Sequence, residues 1–133
     1  MDIEQVKEIL NDGTLGYFAT NNGEQLEVRG WQYQFAEDNK FYFVTANTKG
    51  VYNQMKENPQ VAFAGVSNDH NIRISGKAVF VGADEKQKCF SRLSQGVKDL
   101  YKSWDNPVVE IFYIESGEIK INKGYEPFET IKF

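Results

Sequence analysis

The residue types best suited to chemistry are a basic and hydroxyl-bearing set: Arg29, Thr45, Asn47, Thr48 and Lys49. Alternation puts Arg29 on one face of a strand from Leu26 to Ala36, together with Glu27, Trp31, Tyr33 and Phe35. The other four fall where the apolar strand Phe41–Thr45 gives way to a helix from Thr48 to Glu57. Such a junction offers free backbone N–H groups and a positive dipole end, which suit a phosphate. Thr48 can cap the helix, Lys49 supplies charge, and Arg29 can add a bidentate contact. A plain structural use stands beside this one. Thr48 is then only a cap, Lys49 a solvated lysine, and Arg29 the partner of a nearby carboxylate.

Other candidates carry less. His70 is the only histidine, and Asp69 beside it points to another side of the chain. No serine sits in a nucleophile elbow. Cys89 neighbours an apolar helix stripe and reads as a packed thiol. The acidic pairs Glu37-Asp38 and Asp84-Glu85 fall in a turn and at a helix start, where capping explains them. No cluster has metal-ligand spacing. Trp31 is either core or a wall against a planar ligand.

The elements that must position these residues follow from periodicity. Ile3, Val6, Ile9 and Leu10 give a first helix over 3–10, capped by Asp2. Strands follow at Gly13–Thr20 and Leu26–Ala36, joined by the turn Asn21-Asn22-Gly23. Further strands are expected at Phe41–Thr45, Val61–Val66, Ile72–Val81, Val108–Ile114 and Glu118–Asn122, the last two turned by Ser116-Gly117. Asp84 to Leu100 reads as helix, with Phe90, Leu93, Val97 and Leu100 as its buried stripe and Gly96 as a break. The result is a mainly β chain with helices, an antiparallel barrel or sandwich. At 133 residues it is one domain, 1–133. Lys plus Arg is 15 against 19 Asp plus Glu, which argues against nucleic acid as a partner. No apolar run approaches the ~18 residues of a membrane span, and no leader is visible at the N-terminus. One cysteine excludes an internal disulfide and fits the cytoplasm. Tyr17, Phe18, Trp31, Tyr33, Phe35, Phe41, Tyr42 and Phe43 are many for a small barrel to hide. Alternation should send half outward, which predicts a homodimer.

The order of these segments resembles a known family. An Arg on an early strand, T-A-N-T-K after an aromatic strand, V-Y-N-Q-M-K-E-N-P, and then R-I-S-G-K-A in a long strand are similar to the pyridoxamine 5'-phosphate oxidase-like FMN-binding split barrels. The similarity runs from Ile3 to Ile121 and is nearest to the short, nitroimidazole-resistance-type branch. It implies an antiparallel split β-barrel of the FMN-binding type. It also implies that Arg29 reaches the FMN phosphate and that Thr48 and Lys49, after Asn47, form the phosphate-binding turn. By the same resemblance Gly30, Trp31 and Gln32 run beside the flavin ring, and Thr45 lies near the phosphate and ribityl chain. Asn71 takes the place of a Gln that contacts the flavin from the partner subunit, and Trp104 that of a late aromatic over the cofactor. One departure matters. The tail Gly124-Tyr125-Glu126-Pro127-Phe128 lacks the Arg and His that grip pyridoxamine phosphate in the true oxidases, so that substrate is not expected.

The resemblance therefore implies a cytoplasmic, homodimeric FMN-dependent oxidoreductase acting on a small organic substrate with a separate electron donor. The cofactor would carry the redox chemistry, consistent with a chain that has no nucleophile or acid–base pair of its own. Two alternatives remain: a non-catalytic flavin binder, or the same barrel holding haem or a deazaflavin.

Overall fold

The computed structural model describes all 133 residues. Helix α1 (Ile3–Ile9) opens on a capping box: Asp2 accepts from the Gln5 N–H, and the Gln5 side chain accepts from the Asp2 N–H. Strands β1 (Leu15–Asn21) and β2 (Leu26–Gln32) form the first hairpin. Then come β3 (Phe35–Glu37), β4 (Lys40–Ala46), helix α2 (Gly50–Glu57), β5 (Gln60–Ser67) and β6 (His70–Phe80). Helices α3 (Ala83–Phe90) and α4 (Gln95–Tyr101) precede β7 (Val109–Lys123) and β8 (Glu129–Lys132).

All strand pairs are antiparallel, in the order β2-β1-β5-β6-β7-β4-β3, with β8 added on β7. The two ends of this order, β2 and β3, are neighbours in sequence, separated only by Tyr33 and Gln34. The single strand expected over 26–36 is thus two. Its first half pairs with β1 (Leu15 opposite Gln32) and its second with β4 (Phe35 opposite Tyr42). The chain changes partners at Tyr33, whose N–H donates to the Thr14 carbonyl, while the Gln34 N–H donates to the Tyr42 carbonyl. The sheet curls round until its ends are joined by covalent chain but not by a ladder. That is a split antiparallel β-barrel.

Two clusters hold it together. The interior one is built around Phe18, Tyr33, Phe41, Phe43, Phe63 and Phe112, with Val6 and Leu10 from the α1 segment and Val51 and Met55 from α2. The second lies on the other face of β4. There Tyr42, Val44 and Ala46 meet Cys89, Phe90 and Leu93 of the α3 segment and Tyr101 of α4. β4 is therefore covered on both faces, which is why it reads as a continuous apolar run. This also corrects the expectation that half the aromatics face outward: of the eight named above only Tyr17 is exposed.

Two further expectations change. The helix over 84–100 breaks at Ser91–Ser94 rather than at Gly96, which lies inside α4. Phe90 and Leu93 are buried, but Leu100 is exposed. Ser116-Gly117 is not a turn. β7 runs through it as one strand of 15 residues, pairing with β4 before it and with β8 after it. Ser116 has φ +54°, and the register against β6 shifts between Ser75 and Lys77, so the pair makes a bulge. Glycine is needed there. A Cβ on Gly117 would collide with the Ser75 carbonyl, and one on Gly76 would stand 2.6 Å from the Glu115 carbonyl.

Candidate anion site at the split of the barrel

The split has a physical consequence. β3 covers only Lys40–Tyr42 of β4, so the edge beyond it keeps free backbone groups. The Val44 carbonyl there accepts from Trp31 Nε1 at 3.0 Å, the single side-chain bridge from β2 to this edge. Trp31 is half-buried and packs against Phe18 at 4.8 Å between ring centroids. It serves as core and as a wall at once.

A cleft of about 430 Å³ lies in the split, lined by Arg29, Gly30 and Trp31 from β2, Val44 from β4, and Lys49, Gly50 and Val51 at the start of α2. Lys49, not Thr48, is the N-cap of that helix, and no side chain caps it. The first helical N–H groups, of Gly50 and Val51, have no partner within the helix and carry its positive end. Nothing stands within 4 Å of where a Cβ on Gly50 would be, so the helix end is open. No carboxylate pairs with the Lys49 ammonium. The cleft thus gathers a guanidinium, an ammonium and a helix N-terminus, a donor set suited to a phosphate.

Arg29 is held rather than free. Its Nη1 donates to Thr20 Oγ1 at 3.0 Å, and its Nη2 pairs with Glu27 Oε1 at 3.3 Å. Glu27 Oε1 also accepts from Gln54 Nε2 at 3.1 Å, and Oε2 from Asn22 Nδ2 at 2.8 Å. Thr20 closes the ring by donating to Gln54 Oε1 at 2.9 Å. Hydrogen bonds from Gln54 and Asn22, and then the Arg29 charge, hold the Glu27 carboxyl below the usual carboxylate range. Glu27, Gln54 and Val44 did not stand out in the sequence as site residues. The signal for Glu27 was present, since it shares Arg29's face two residues earlier. Gln54 had none, because a polar residue on a short helix reads as surface.

The remaining expected residues are placed as follows. Thr45 lies beside Val44, on the interior-facing side with Phe41 and Phe43, and its hydroxyl is buried with no hydrogen-bond partner. Thr48 is exposed. Asn47 Nδ2 donates to the Pro107 carbonyl at 2.8 Å and to Glu110 Oε2 at 3.2 Å, tying the β4 end to β7. Thr45, Asn47 and Thr48 adjoin the cleft in sequence but do not line it, and three further residues lie elsewhere. Gln32 donates to the Gly13 carbonyl and accepts from Ser94 Oγ. Asn71 Nδ2 donates to Asn122 Oδ1 at 2.9 Å and lines a separate hollow beside Tyr17 and Phe128. Trp104 packs against the second cluster. His70 ends a tight turn whose Asn68 and Asp69 both have positive φ, and it does not line the cleft.

Comparison with known proteins gives one family. The sequence pattern described as Pyridoxamine 5'-phosphate oxidase matches residues 3–120. The comparison with curated proteins finds no match. Among solved structures, a NimC/NimA family protein of Clostridium acetobutylicum is 26% identical, with TM-score 0.82 over 98% of this chain and 93% of that one. A pyridoxamine 5'-phosphate oxidase-related, FMN-binding protein of Nostoc punctiforme is 11% identical, with TM-score 0.71 over 88% of this chain and 78% of that one. A haem-binding protein of Mycobacterium smegmatis is 13% identical, with TM-score 0.78 over 97% of this chain and 57% of that one. At such identities the last two share the fold alone. The sequence match, spanning nearly the whole chain and agreeing with a barrel split between β2 and β4, places the protein in the pyridoxamine 5'-phosphate oxidase family.

Proposed function

We propose that this protein binds FMN in the split of its barrel and acts as an FMN-dependent oxidoreductase on a small organic substrate. The observation that carries the reading is the convergence of Arg29, Lys49 and the uncapped start of α2 on one cleft. These donors suit a phosphomonoester, and next in the chain to Val44, off the lining itself, the buried Thr45 hydroxyl has no partner. Arg29 and Lys49 hold the phosphate, the Gly50 and Val51 N–H groups donate to it, and Trp31 bounds the cleft. Bound FMN supplies the hydride and electron chemistry, so the chain needs no nucleophile. The FMN-binding neighbour with the same fold supports this choice of cofactor.

The working form in this reading is a cytoplasmic homodimer. Leu15, Tyr17, Leu26, Val28 and Val66 are exposed on the outward side of the neighbouring strands β1, β2 and β5, an apolar face suited to a second copy. In this reading Asn71, which lines a hollow with Leu15, Tyr17 and Val66 on that face, acts as a donor to the site of the facing subunit. The test is the absorption spectrum of the purified protein, followed by turnover with a reduced nicotinamide and a nitroaromatic or quinone acceptor. Flavin bands and a flavin released by heat as FMN are expected, and a colourless protein that takes up no FMN overturns the reading.

Haem is the second reading, favoured by the haem-binding neighbour. The only histidine, His70, does not line the cleft, so no side chain there is an obvious axial ligand. A Soret band in place of flavin bands would establish it.

A further inference from the structure

The cleft that suits a phosphate already contains an anion. Glu27 projects into it from the same face of β2 as Arg29, and both side chains are about one third exposed or less, 34% and 27%. Its carboxylate takes three hydrogen bonds: Arg29 Nη2 and Gln54 Nε2 on Oε1, Asn22 Nδ2 on Oε2. A dedicated anion site has no use for a carboxylate on its own arginine, since two anions cannot share one guanidinium edge without repulsion. The Arg29 contact is also the longest of the three, at 3.3 Å against 3.1 and 2.8 Å. Glu27 can therefore release Arg29 while Gln54 and Asn22 still hold it.

We propose that Glu27 is the cleft's own counter-anion and a specificity-determining residue. It occupies the Arg29 edge in the free protein, an entering phosphate displaces it from that edge, and Gln54 and Asn22 retain it at the side. This rests on the reading of the cleft as the FMN phosphate site. The pair neutralises Arg29 in the free cleft, leaves Lys49 as its net charge, and lowers the affinity for the phosphate. Lys49 has no such internal partner and is the group that first meets the incoming anion.

The experiment is calorimetric titration of FMN and of riboflavin into the wild type, Glu27→Gln and Glu24→Gln. Glu24 lies in the exposed turn before β2 and controls for net charge alone. Glu27→Gln should tighten FMN about three- to tenfold, as expected for removal of a partly exposed competing charge. Riboflavin should be unchanged in Glu27→Gln, and Glu24→Gln should leave both ligands nearly as in the wild type. Unchanged or weaker FMN binding in Glu27→Gln overturns the proposal, because Glu27 would then only orient Arg29. Equal gains in both variants overturn it as well. If the wild type binds FMN no better than riboflavin, the phosphate reading fails by itself. The exchange is then read with inorganic phosphate, through the guanidinium nitrogen signals of Arg29. A response at lower phosphate in Glu27→Gln than in the wild type upholds it, and no response in either overturns it. A crystal structure of the wild type with FMN reads the exchange with no variant: Glu27 should no longer touch Arg29 and should still touch Gln54, and an intact Glu27–Arg29 pair overturns it.

Discussion

Arg29 and Lys49 approach the same cleft from different elements and under different constraints. Arg29 is buttressed by Thr20 and Glu27, whereas Lys49 stands exposed at the helix start. Each charge-assisted contact to a phosphate is worth ~1.5–3 kcal/mol. Replacing either residue by Ala should therefore weaken FMN by about 10–100-fold and leave riboflavin almost unchanged, as titration of both ligands will read. The larger loss is expected for Arg29, whose position is already fixed. Thr45 makes a different prediction. Its hydroxyl is buried without a partner, which costs the free protein about 1–3 kcal/mol of lost hydration. Thr45→Val keeps the shape and should raise stability by about 1 kcal/mol in chemical denaturation, with a loss of FMN affinity as its counterpart. A stable variant with full affinity would show that the hydroxyl has no role in the cleft.

At the scale of elements, the feature most open to test is the bulge that lets β7 serve two partners. Gly117 approaches the Ser75 backbone so closely that no Cβ fits, and Ser116 beside it already has a left-handed backbone. Gly117→Ala must push β6 and β7 apart where they meet most extensively. A loss of about 1–3 kcal/mol is expected from such overpacking. Hydrogen exchange should show it centred on Ser75–Lys77 and the facing stretch of β7, whereas Gly50→Ala, with open space around it, should leave stability nearly unchanged. The elements also explain which signals misled. Ser-Gly is equally at home in a hairpin turn and in a bulge, and only the strand opposite decides between them. The alternation from Leu26 to Ala36 reads unbroken through Tyr33 in the sequence, but the change of partner from β1 to β4 reverses the faces: Trp31 and Tyr33 pack in the interior cluster, Phe35 in the second one, and Ala36 against the interior again.

For the whole molecule, two predictions concern stability and assembly. Burial pushes the Cys89 thiol up, and it pushes Tyr33, Tyr42 and Tyr101 up as well. The unfolded chain releases the thiol proton near about pH 8.5 and the phenol protons near about 10, where the folded chain still holds them. The folded state then binds more protons, so stability falls as pH rises through this window and is flat below it. Urea midpoints measured from pH 7 to 11 should show the decline, and Cys89→Ala should delay its onset to the phenol range. The second prediction concerns the apolar outward side of β1, β2 and β5. Val28→Glu places a charge on the apolar surface proposed for the second copy. Sedimentation should give twice the chain mass for the wild type and a monomer for the variant. A monomeric wild type at micromolar concentration would remove the cross-subunit role of Asn71.

The sequence by itself determined the local rules: the Asp2 cap, the first hairpin and its turn, the strand-to-helix junction around Thr45–Lys49, and Arg29 on the inward face of its strand. Each depends on residues near one another in the chain, where propensity, alternation and capping act directly. Family resemblance then supplied an order for the elements that no single segment contains. Only the tertiary structure decided that β2 and β3 stand at opposite ends of one sheet, so that the cleft opens between them. It also decided that β4 is covered on both faces and that Glu27 and Gln54 share the arginine's cleft. These facts follow from how strands distant in sequence close on one another, and pairing energies between them are invisible to any local window. The aromatic excess shows the difference most plainly. Counted along the chain it points outward, but the barrel interior takes Phe18, Trp31, Tyr33, Phe41 and Phe43, and a layer of helices over β4 covers Phe35 and Tyr42.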